Sequence, residues 1–273
     1  MKEGSLEAPT RHAVDWKNEE FYDEKACIDE MERIFDICHG CRRCVSLCGS
    51  FPTLFDLIDE GESMELDSVN KSDYWKVVDQ CYLCDVCYLT KCPYVPPHPW
   101  NLDFPHTMLR AKAIQFKKGT KTKIRDTLLS NTSANGKLAS IPVVTQSVNF
   151  ATTNKALRSV GEKMLGVHKS AWLPKFAKNT FEKNFKTSEK FPVQDGKLTK
   201  GKVAVYSTCY INWNEPGIGH DLIEILKINE IPYVVVEKQG CCGMPKLELG
   251  DLDSVEKLKN ENIPKMAKLA KDG

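Results

Sequence analysis

The first third of the chain shows the apolar spacing of helices. One face of a predicted helix carries residues that recur every three or four positions, and this helix brings Cys38 to its end. Those residues are Cys27, Met31, Ile34, Phe35 and Cys38. Apolar segments at 54–58 and 74–78 also favour helices, and residues 103–118 predict another, which Gly119 ends after two lysines. The pattern predicts an α-helical domain over residues 23–119, with Cys27 in its core.

The last third changes to a β-branched pattern. Residues 202–206 and 233–236 predict two short strands, and residues 218–228 between them predict a helix. The inward residues of that helix are predicted to be Leu222, Ile223 and Leu226. A strand, a helix and a strand in this order form a right-handed unit with parallel strands. Residues 257–270 predict a further helix without a third strand after it, so we expect an incomplete α/β domain over 201–273. The predicted fold class is α + α/β.

Residues 120–200 carry a weaker pattern. Asn135 and Gly136 predict a turn, and residues 154–167 and 175–185 predict two basic amphipathic helices. The apolar face of the first helix is formed by Leu157, Val160, Met164 and Val167. Such a helix can lie on an anionic membrane surface, dock on an acidic partner, or pack as a solvated helix on its own domain. We predict a basic linker over this range.

Composition and charge narrow the class of protein. The 273 residues include 38 basic and 37 acidic side chains, so the net charge of +1 favours no particular partner, and no nucleic-acid partner is expected. Segment 105–202 alone carries a net charge of +15, whereas the acidic segments 1–22 and 23–37 together carry −6. No apolar run approaches the ~20 residues that span a bilayer, and residues 1–10 lack a signal peptide's apolar core. We therefore expect a cytoplasmic protein with reduced thiols.

Nine of the twelve cysteines lie in the first 92 residues, and eight of these nine form two motifs with regular spacing. The first motif is C-x-x-C-x-x-C-x-x-x-C, and the second has four residues before its last cysteine. Three thiolates on one tight loop can hold three irons of a cubane, and a fourth ligand comes from elsewhere. This spacing resembles two-cluster ferredoxins, in which the other motif supplies the fourth ligand. The resemblance implies two [4Fe–4S] clusters, one held by Cys38, Cys41, Cys44 and Cys92, the other by Cys81, Cys84, Cys87 and Cys48.

Zinc is the alternative for these cysteines. Two C-x-x-C pairs would be enough for a zinc site, but such a site leaves the third and fourth cysteines of both motifs without a role. The longer spacing before Cys92 is a one-residue insertion, which could change the cluster type. His39 could donate to cluster sulfur or could be a solvent-exposed bystander. Arg42 and Arg43 add positive charge, which favours a reduced, more anionic cluster.

The last three cysteines form a separate constellation. Cys209 follows the first predicted strand, and Cys241 and Cys242 follow the second one. Because parallel strands present their carboxyl ends at one edge of a sheet, the three thiols are expected to converge there. Gly240 and Gly243 flank the pair and permit the turn it needs. One buried cysteine in each loop is the alternative, and it does not explain an adjacent pair. We predict a third, CCG site.

With these motifs in place, the chain resembles the heterodisulfide reductase-like iron–sulfur oxidoreductases, and within them the C subunits of anaerobic glycerol-3-phosphate dehydrogenases. The similarity covers residues 38–118 and 201–273 and includes the run Cys241-Cys242-Gly243-Met244-Pro245. The family's front domain is an α-helical ferredoxin, and a further cysteine-containing loop follows each CCG pair. That loop and a second CCG module are missing here, so we expect a C-terminally truncated chain.

The resemblance implies an electron-transfer subunit of an oxidoreductase complex. Electrons would come from a flavin-containing dehydrogenase subunit or another donor, pass through the two cubanes, and leave toward quinone or a disulfide. The basic segment would hold the subunit peripherally against anionic lipid on the inner face of the cytoplasmic membrane. The alternative is a catalytic heterodisulfide reductase-like subunit, which uses a further iron–sulfur cluster at the CCG site in a complete chain.

Overall fold

The computed structural model describes residues 4–5, 7–119, 124–185, 194–195, 200–237 and 239–271. The chain divides into two compact units. Met1–Thr122 and Lys246–Leu252 form the first unit, and Lys123–Pro245 and Asp253–Gly273 form the second. The segment predicted as a basic linker therefore lies in the second unit from Lys123 onward. The predicted boundaries at residues 22, 119 and 200 stay predictions.

The first unit is helical. Its helices are α1 (Glu24–Cys41), α2 (Ser50–Asp59), α3 (Tyr74–Asp79) and α4 (Phe104–Lys118). Of the apolar stripe predicted for α1, Cys27, Met31, Ile34 and Phe35 are fully buried at 0% exposure, and Cys38 at its end is partly exposed. The side chain of Asp23 accepts a hydrogen bond from the Ala26 amide and so caps α1, while Asp103 caps α4 in the same way. Gly119 ends α4 in the left-handed conformation, as predicted.

The core of the first unit combines aliphatic side chains with several aromatic rings. The Phe51 and Phe104 rings lie 4.7 Å apart, and Phe35 packs edge-on against Tyr74 at 5.1 Å between centroids. The segment Lys246–Leu252 belongs to this unit and packs on α4. Its Glu248 accepts an ion-pair contact of 2.9 Å from Lys112. Gly250 lies so close to the α4 backbone at Lys112 that an added Cβ would be 2.5 Å from it, so only glycine fits there.

The second unit combines helices with two small sheets. Its helices are α5 (Ile124–Ser130), α6 (Thr132–Ala139), α7 (Pro142–Thr153), α8 (Lys155–Leu165), α9 (Phe181–Asn184), α10 (Thr208–Trp213), α11 (Pro216–Ile228), α12 (Met244–Leu249, which crosses into the first unit) and α13 (Leu252–Lys271). Its strands are β1 (Gln194–Asp195), β2 (Lys200–Gly201), β3 (Val203–Val205) and β4 (Tyr233–Val235). β1 pairs antiparallel with β2, and β3 pairs parallel with β4.

The parallel pair confirms the predicted strand–helix–strand unit and the α + α/β fold class. Val203 pairs with Tyr233 in register, and α10 and α11 lie between the two strands in sequence. The second core contains buried residues from α9, α11, β3 and β4, namely Phe181, Val205, Ile223, Leu226, Tyr233 and Val235. Of the three residues predicted to face inward on α11, Leu222 does not, because its side chain is 40% exposed.

Two predictions about the basic segment are wrong. Asn135 and Gly136 do not form a turn but lie inside α6. The helix predicted over 175–185 shrinks to the four residues of α9, because the backbone before it bonds to other elements instead. The Phe176 amide donates to the Asn149 side chain at 2.8 Å, and the Ala177 amide donates to the carbonyl of Trp213 at 2.7 Å. Within the described residues, no helix is long and apolar enough to cross a membrane.

Candidate functional site

The first cysteine motif starts in the last turn of α1. Cys38 and Cys41 lie on the helix, and Arg42 ends it in the left-handed conformation with φ 50°. The Arg42 amide donates to the Cys38 carbonyl at 2.8 Å, which closes the turn. The chain then reverses, so Cys44 and Cys48 follow on a loop before α2. A helix end and one tight loop thus supply all four thiols.

The second motif begins directly after α3. Cys81 follows α3, and Leu83 and Asp85 both adopt left-handed conformations, with φ 52° and 61°. The chain then forms a single π-helical turn, Cys87–Lys91. The Cys92 amide donates to the Cys87 carbonyl at 2.9 Å, an i→i+5 bond. The extra residue between these two cysteines is therefore absorbed by one wider turn.

Cysteines of both motifs come together in the first unit, where Cys81 is buried, Cys84 is exposed and the others are partly buried. One pocket is lined by the four cysteines predicted for the first cluster, Cys38, Cys41, Cys44 and Cys92. A neighbouring pocket, lined by Cys38, Cys44 and Cys92, also reaches Cys87. Cys48 and Cys84 act electrostatically on Cys87, and Cys48 acts on Cys81, so the second predicted set is close together as well. Among the described residues, no group of three or more His, Cys, Asp or Glu side chains meets the geometry for a single metal ion.

Burial, together with the crowding of the thiols, raises the pKa values of Cys38, Cys81 and Cys87. Burial raises the pKa of Cys38 well above its ordinary value, and negative charge on Cys92, Cys44 and Cys41 raises it further. Burial likewise raises the pKa of Cys87, and of Cys81 to about 11. Thiolates packed this closely repel one another without a cation between them. A cationic metal group with several thiolate positions would remove that repulsion, so the donor set fits such a group.

Charged side chains beside the first motif form ion pairs and hydrogen bonds with one another. The Arg42 guanidinium donates to both carboxylate oxygens of Asp59, at 2.5 and 2.8 Å, and lies 4.9 Å above the Phe55 ring. It also contacts Nδ1 of His39 at 2.8 Å, and Nε2 of His39 lies 3.3 Å from Glu65. Both ring nitrogens of His39 are thus engaged by Arg42 and Glu65 rather than by a cysteine. Asp59 also balances most of the positive charge that Arg42 brings.

The three remaining cysteines form a thiol cluster in the second unit. Cys209 lies in α10, just after β3, and Cys241 and Cys242 follow β4. The Cys241 sulfur accepts hydrogen bonds from the Cys209 and Cys242 thiols. It also accepts from the Gly243 amide at 3.5 Å, where the backbone has φ 94°. The three thiols therefore converge at the carboxyl edge of the parallel strands, and the CCG glycine supplies a left-handed turn there.

The donors around Cys241 favour a single negative charge on this cluster. Hydrogen bonds from Cys209 and Cys242 lower the pKa of Cys241 despite its burial. The same hydrogen bonds raise the pKa values of Cys209 and Cys242, because each holds its own proton toward the Cys241 sulfur. Burial and the nearby thiols together raise the pKa of Tyr206 to about 12. The cluster can thus carry one thiolate, and further ionisation needs a bound cation.

Two residues of this site are missing from the sequence-based prediction. Thr132, the first residue of α6, donates its hydroxyl to the Cys241 sulfur at 3.2 Å. Asn262 on α13 is buried; its side chain accepts from the Gly240 amide at 2.8 Å and donates to the Cys241 carbonyl at 2.9 Å. Asn262 therefore holds the backbone of the CCG loop. Its polar side chain inside an apolar stripe is a weak local signal, but nothing near Thr132 in sequence indicates its role.

Comparisons with known proteins agree with the motifs. The family model of the CCG cysteine-rich domain matches residues 203–272. One component of the anaerobic glycerol-3-phosphate dehydrogenase from Escherichia coli, the subunit designated C, is 28% identical over 146 residues, which are 53% of this chain and 35% of that protein. An uncharacterised iron–sulfur protein of Methanocaldococcus jannaschii is 30% identical over 82 residues, 30% of this chain and 16% of that protein.

A third relative is one component of the fumarate reductase (CoM/CoB) of Methanothermobacter marburgensis, the subunit designated B. It is 28% identical over 67 residues, 24% of this chain and 14% of that protein. The chain thus spans about a third or less of the length of these relatives. No solved structure matches it. The relatives with assigned roles are subunits of a dehydrogenase and a reductase.

Proposed function

Because the chain belongs to the iron–sulfur oxidoreductase subunits with a CCG domain, we propose that it relays electrons through two [4Fe–4S] clusters. The eight cysteines of the two motifs would hold these clusters, with Cys92 and Cys48 as the crossed ligands. The supporting observation is the pocket lined by the four cysteines of the first predicted set, which come from both motifs. A cubane accepts and donates one electron at a time.

The proposed donor is a flavin-containing dehydrogenase subunit, and the proposed acceptor is quinone or a disulfide. The printed roles of the relatives support a partner subunit, since two of them are subunits of a dehydrogenase and a reductase. The chain's own part in the relay is to position the clusters and set their surroundings. Arg42 with Asp59, and the aromatic core around Phe51, would fix the dielectric and the charge near the first cluster.

A second candidate function is catalysis at the CCG site. The observation that favours it is the convergence of Cys209, Cys241 and Cys242, with Thr132 and Asn262 around them. A further iron–sulfur cluster bound by these thiols in a longer chain would give a heterodisulfide reductase-like subunit. The two candidates differ in the number of irons and in whether the CCG thiols ligate them.

Iron and sulfide analysis of the anaerobically purified protein, joined to low-temperature EPR of its dithionite-reduced form, tests the relay. About eight irons per chain and two interacting reduced cubanes support it. Zinc without sulfide contradicts it, and about four irons would mean that the longer second motif does not hold its cluster. Iron clearly above eight that disappears in Cys241→Ser supports the catalytic candidate. Cys27→Ser is the matched control, because Cys27 is buried in the apolar core and should bind no iron.

We also propose peripheral contact of the second unit with anionic lipid. Leu157, Val160 and Met164 on α8 are 44%, 52% and 79% exposed, and Lys155 and Lys163 lie on the same helix. This helix therefore keeps its apolar face uncovered within its own unit. Each lysine or arginine near an anionic surface contributes about 1 kcal/mol, and salt weakens the attraction.

Sedimentation with vesicles of phosphatidylserine and phosphatidylcholine, at low and high salt, tests this contact. We expect binding at low salt to the anionic vesicles and none to pure phosphatidylcholine. Met164→Glu should weaken binding roughly tenfold, because it removes one inserted apolar side chain and adds a repelled charge. Met64→Glu, an equally drastic change at a 62% exposed residue of the first unit, should leave binding unchanged. If the parent protein stays in the supernatant at low salt, the contact is refuted.

A further inference from the structure

The residues before α1 form a strap along the loop that follows the second cysteine motif. The Ser5 amide donates to the Pro93 carbonyl at 2.8 Å, and the Thr10 amide donates to the Pro96 carbonyl at 2.9 Å. In return, the Tyr88 hydroxyl donates to the Thr10 carbonyl at 2.6 Å. These contacts join the N-terminal segment to both sides of Cys92 within the first unit.

Arg11 is the anchor of this strap. Its guanidinium donates to both carboxylate oxygens of Asp85, at 2.6 and 3.0 Å, and to both of Asp103, at 2.9 and 3.0 Å. It also lies 4.3 Å from the centroid of the Tyr88 ring. The Arg11 side chain is 26% exposed, and its one guanidinium pairs with two carboxylates. Four charge-assisted hydrogen bonds of this kind are far stronger than an ordinary surface ion pair.

Asp85 is the partner that matters for the cysteines, because it lies between Cys84 and Cys87 in sequence. Its left-handed backbone turns the loop between these two thiols, and its carbonyl accepts from the Leu89 amide at 2.9 Å. An unpaired carboxylate here would add negative charge beside a cluster that is already anionic.

We propose that Arg11 is a positioning residue for the second iron–sulfur cluster: by pairing with Asp85, it neutralises that carboxylate beside the cluster and raises the cluster's midpoint potential. The inference rests on the proposed function, since it needs a cluster at Cys81, Cys84, Cys87 and Cys48. Asp103, the second partner, caps α4 and ties the strap to the helix that follows. The N-terminal segment thus contributes a charge to the redox centre from outside both cysteine motifs.

EPR-monitored redox titration of the reduced protein tests this inference with four variants. Arg11→Met should shift one of the two clusters to lower potential, because it leaves the charge of Asp85 uncompensated. Asp85→Asn alone should shift the same cluster to higher potential, and the double variant should return close to the parent value. Arg11→Lys should shift it less than Arg11→Met, since it keeps the charge but not the paired geometry.

Lys71→Met is the matched control, because it also removes one positive charge from the first unit, where Lys71 pairs with Glu32 at 2.7 Å. It should shift neither cluster. If Arg11→Met and Lys71→Met give the same potentials, or if Asp85→Asn does not reverse the effect of Arg11→Met, the inference is wrong. If Arg11→Met loses the cluster, the potential of Asp85→Asn alone tests the inference. An Asp85→Asn variant with the potential of the parent protein then refutes it. A parent protein without iron refutes the proposed function instead.

Discussion

The contact between α6 and α10 gives the sharpest stability prediction. Gly136 lies buried in α6, and the Trp213 ring at the end of α10 occupies the place of its missing side chain. A Cβ added to Gly136 would lie 2.1 Å from Cε3 of Trp213, whereas ordinary contacts begin near 3.4 Å. Gly136→Ala therefore forces the two helices apart by about 1 Å.

The expected effect combines two opposing terms. Forcing extra volume into a packed contact costs about 1–3 kcal/mol, and replacing a helical glycine by alanine returns about 1 kcal/mol. We expect Gly136→Ala to lower the free energy of unfolding by about 1–2 kcal/mol. The shift also reaches the thiol cluster, because α6 carries Thr132 and α10 carries Cys209, and both contact Cys241.

Gly161→Ala is the matched control for this prediction. Gly161 lies inside α8, and a Cβ built there meets no atom within 4 Å. The same substitution should therefore raise the free energy of unfolding by about 0.5–1 kcal/mol. Urea unfolding of the anaerobic protein, followed by far-ultraviolet circular dichroism, measures both. If the two variants change stability in the same direction, the steric argument about Gly136 is wrong.

Three further predictions follow from single side chains. Asn262→Ala should lower the free energy of unfolding by about 1–3 kcal/mol, because it leaves the Gly240 amide and the Cys241 carbonyl buried without partners. An unchanged urea midpoint would contradict this. Burial opposes ionisation of Asp103, but its hydrogen bonds outweigh burial and lower its pKa to about 2, so its contribution to stability is present above pH 4 and declines below it. The stability difference between the parent and Asp103→Asn should accordingly shrink from pH 5 to pH 3. Cys27→Ala should keep the full iron content, and lost iron would show that this buried thiol is a ligand.

Local patterns predict the elements whose stability is local. The buried stripe of α1 follows helical spacing, and the parallel strands follow from two β-branched runs around one helix. The turn predicted at Asn135 and Gly136 is wrong because the glycine allows close packing against Trp213 instead of forming a turn. The basic helix expected over 175–185 fails because its backbone donors bond to Asn149 and to α10, which no local pattern encodes.

The candidate site likewise has features that local sequence patterns predict and features that they do not. Spacing alone indicates the cysteine motifs and the convergence of the CCG thiols, since both follow from short loops at the ends of regular elements. Thr132 lies 109 residues from Cys241 in sequence, and Arg11 lies 74 residues from Asp85, so their roles depend on packing between distant segments. A chemical motif is encoded locally, but the charges and donors that set its properties are not.

The four-residue spacing before Cys92 departs from the common motif without moving Cys92 away from the first cysteine set. A single extra residue would rotate Cys92 away from the first cysteine set if the turn after Cys87 were an ordinary α-helical one. The π-helical turn instead closes with an i→i+5 bond between Cys92 and Cys87, which adds that residue without lengthening the path. Cys92 thereby still lines the pocket with Cys38, Cys41 and Cys44. We therefore expect deletion of Thr90 to move Cys92 away from the other three cysteines, although the deletion would restore the more common spacing.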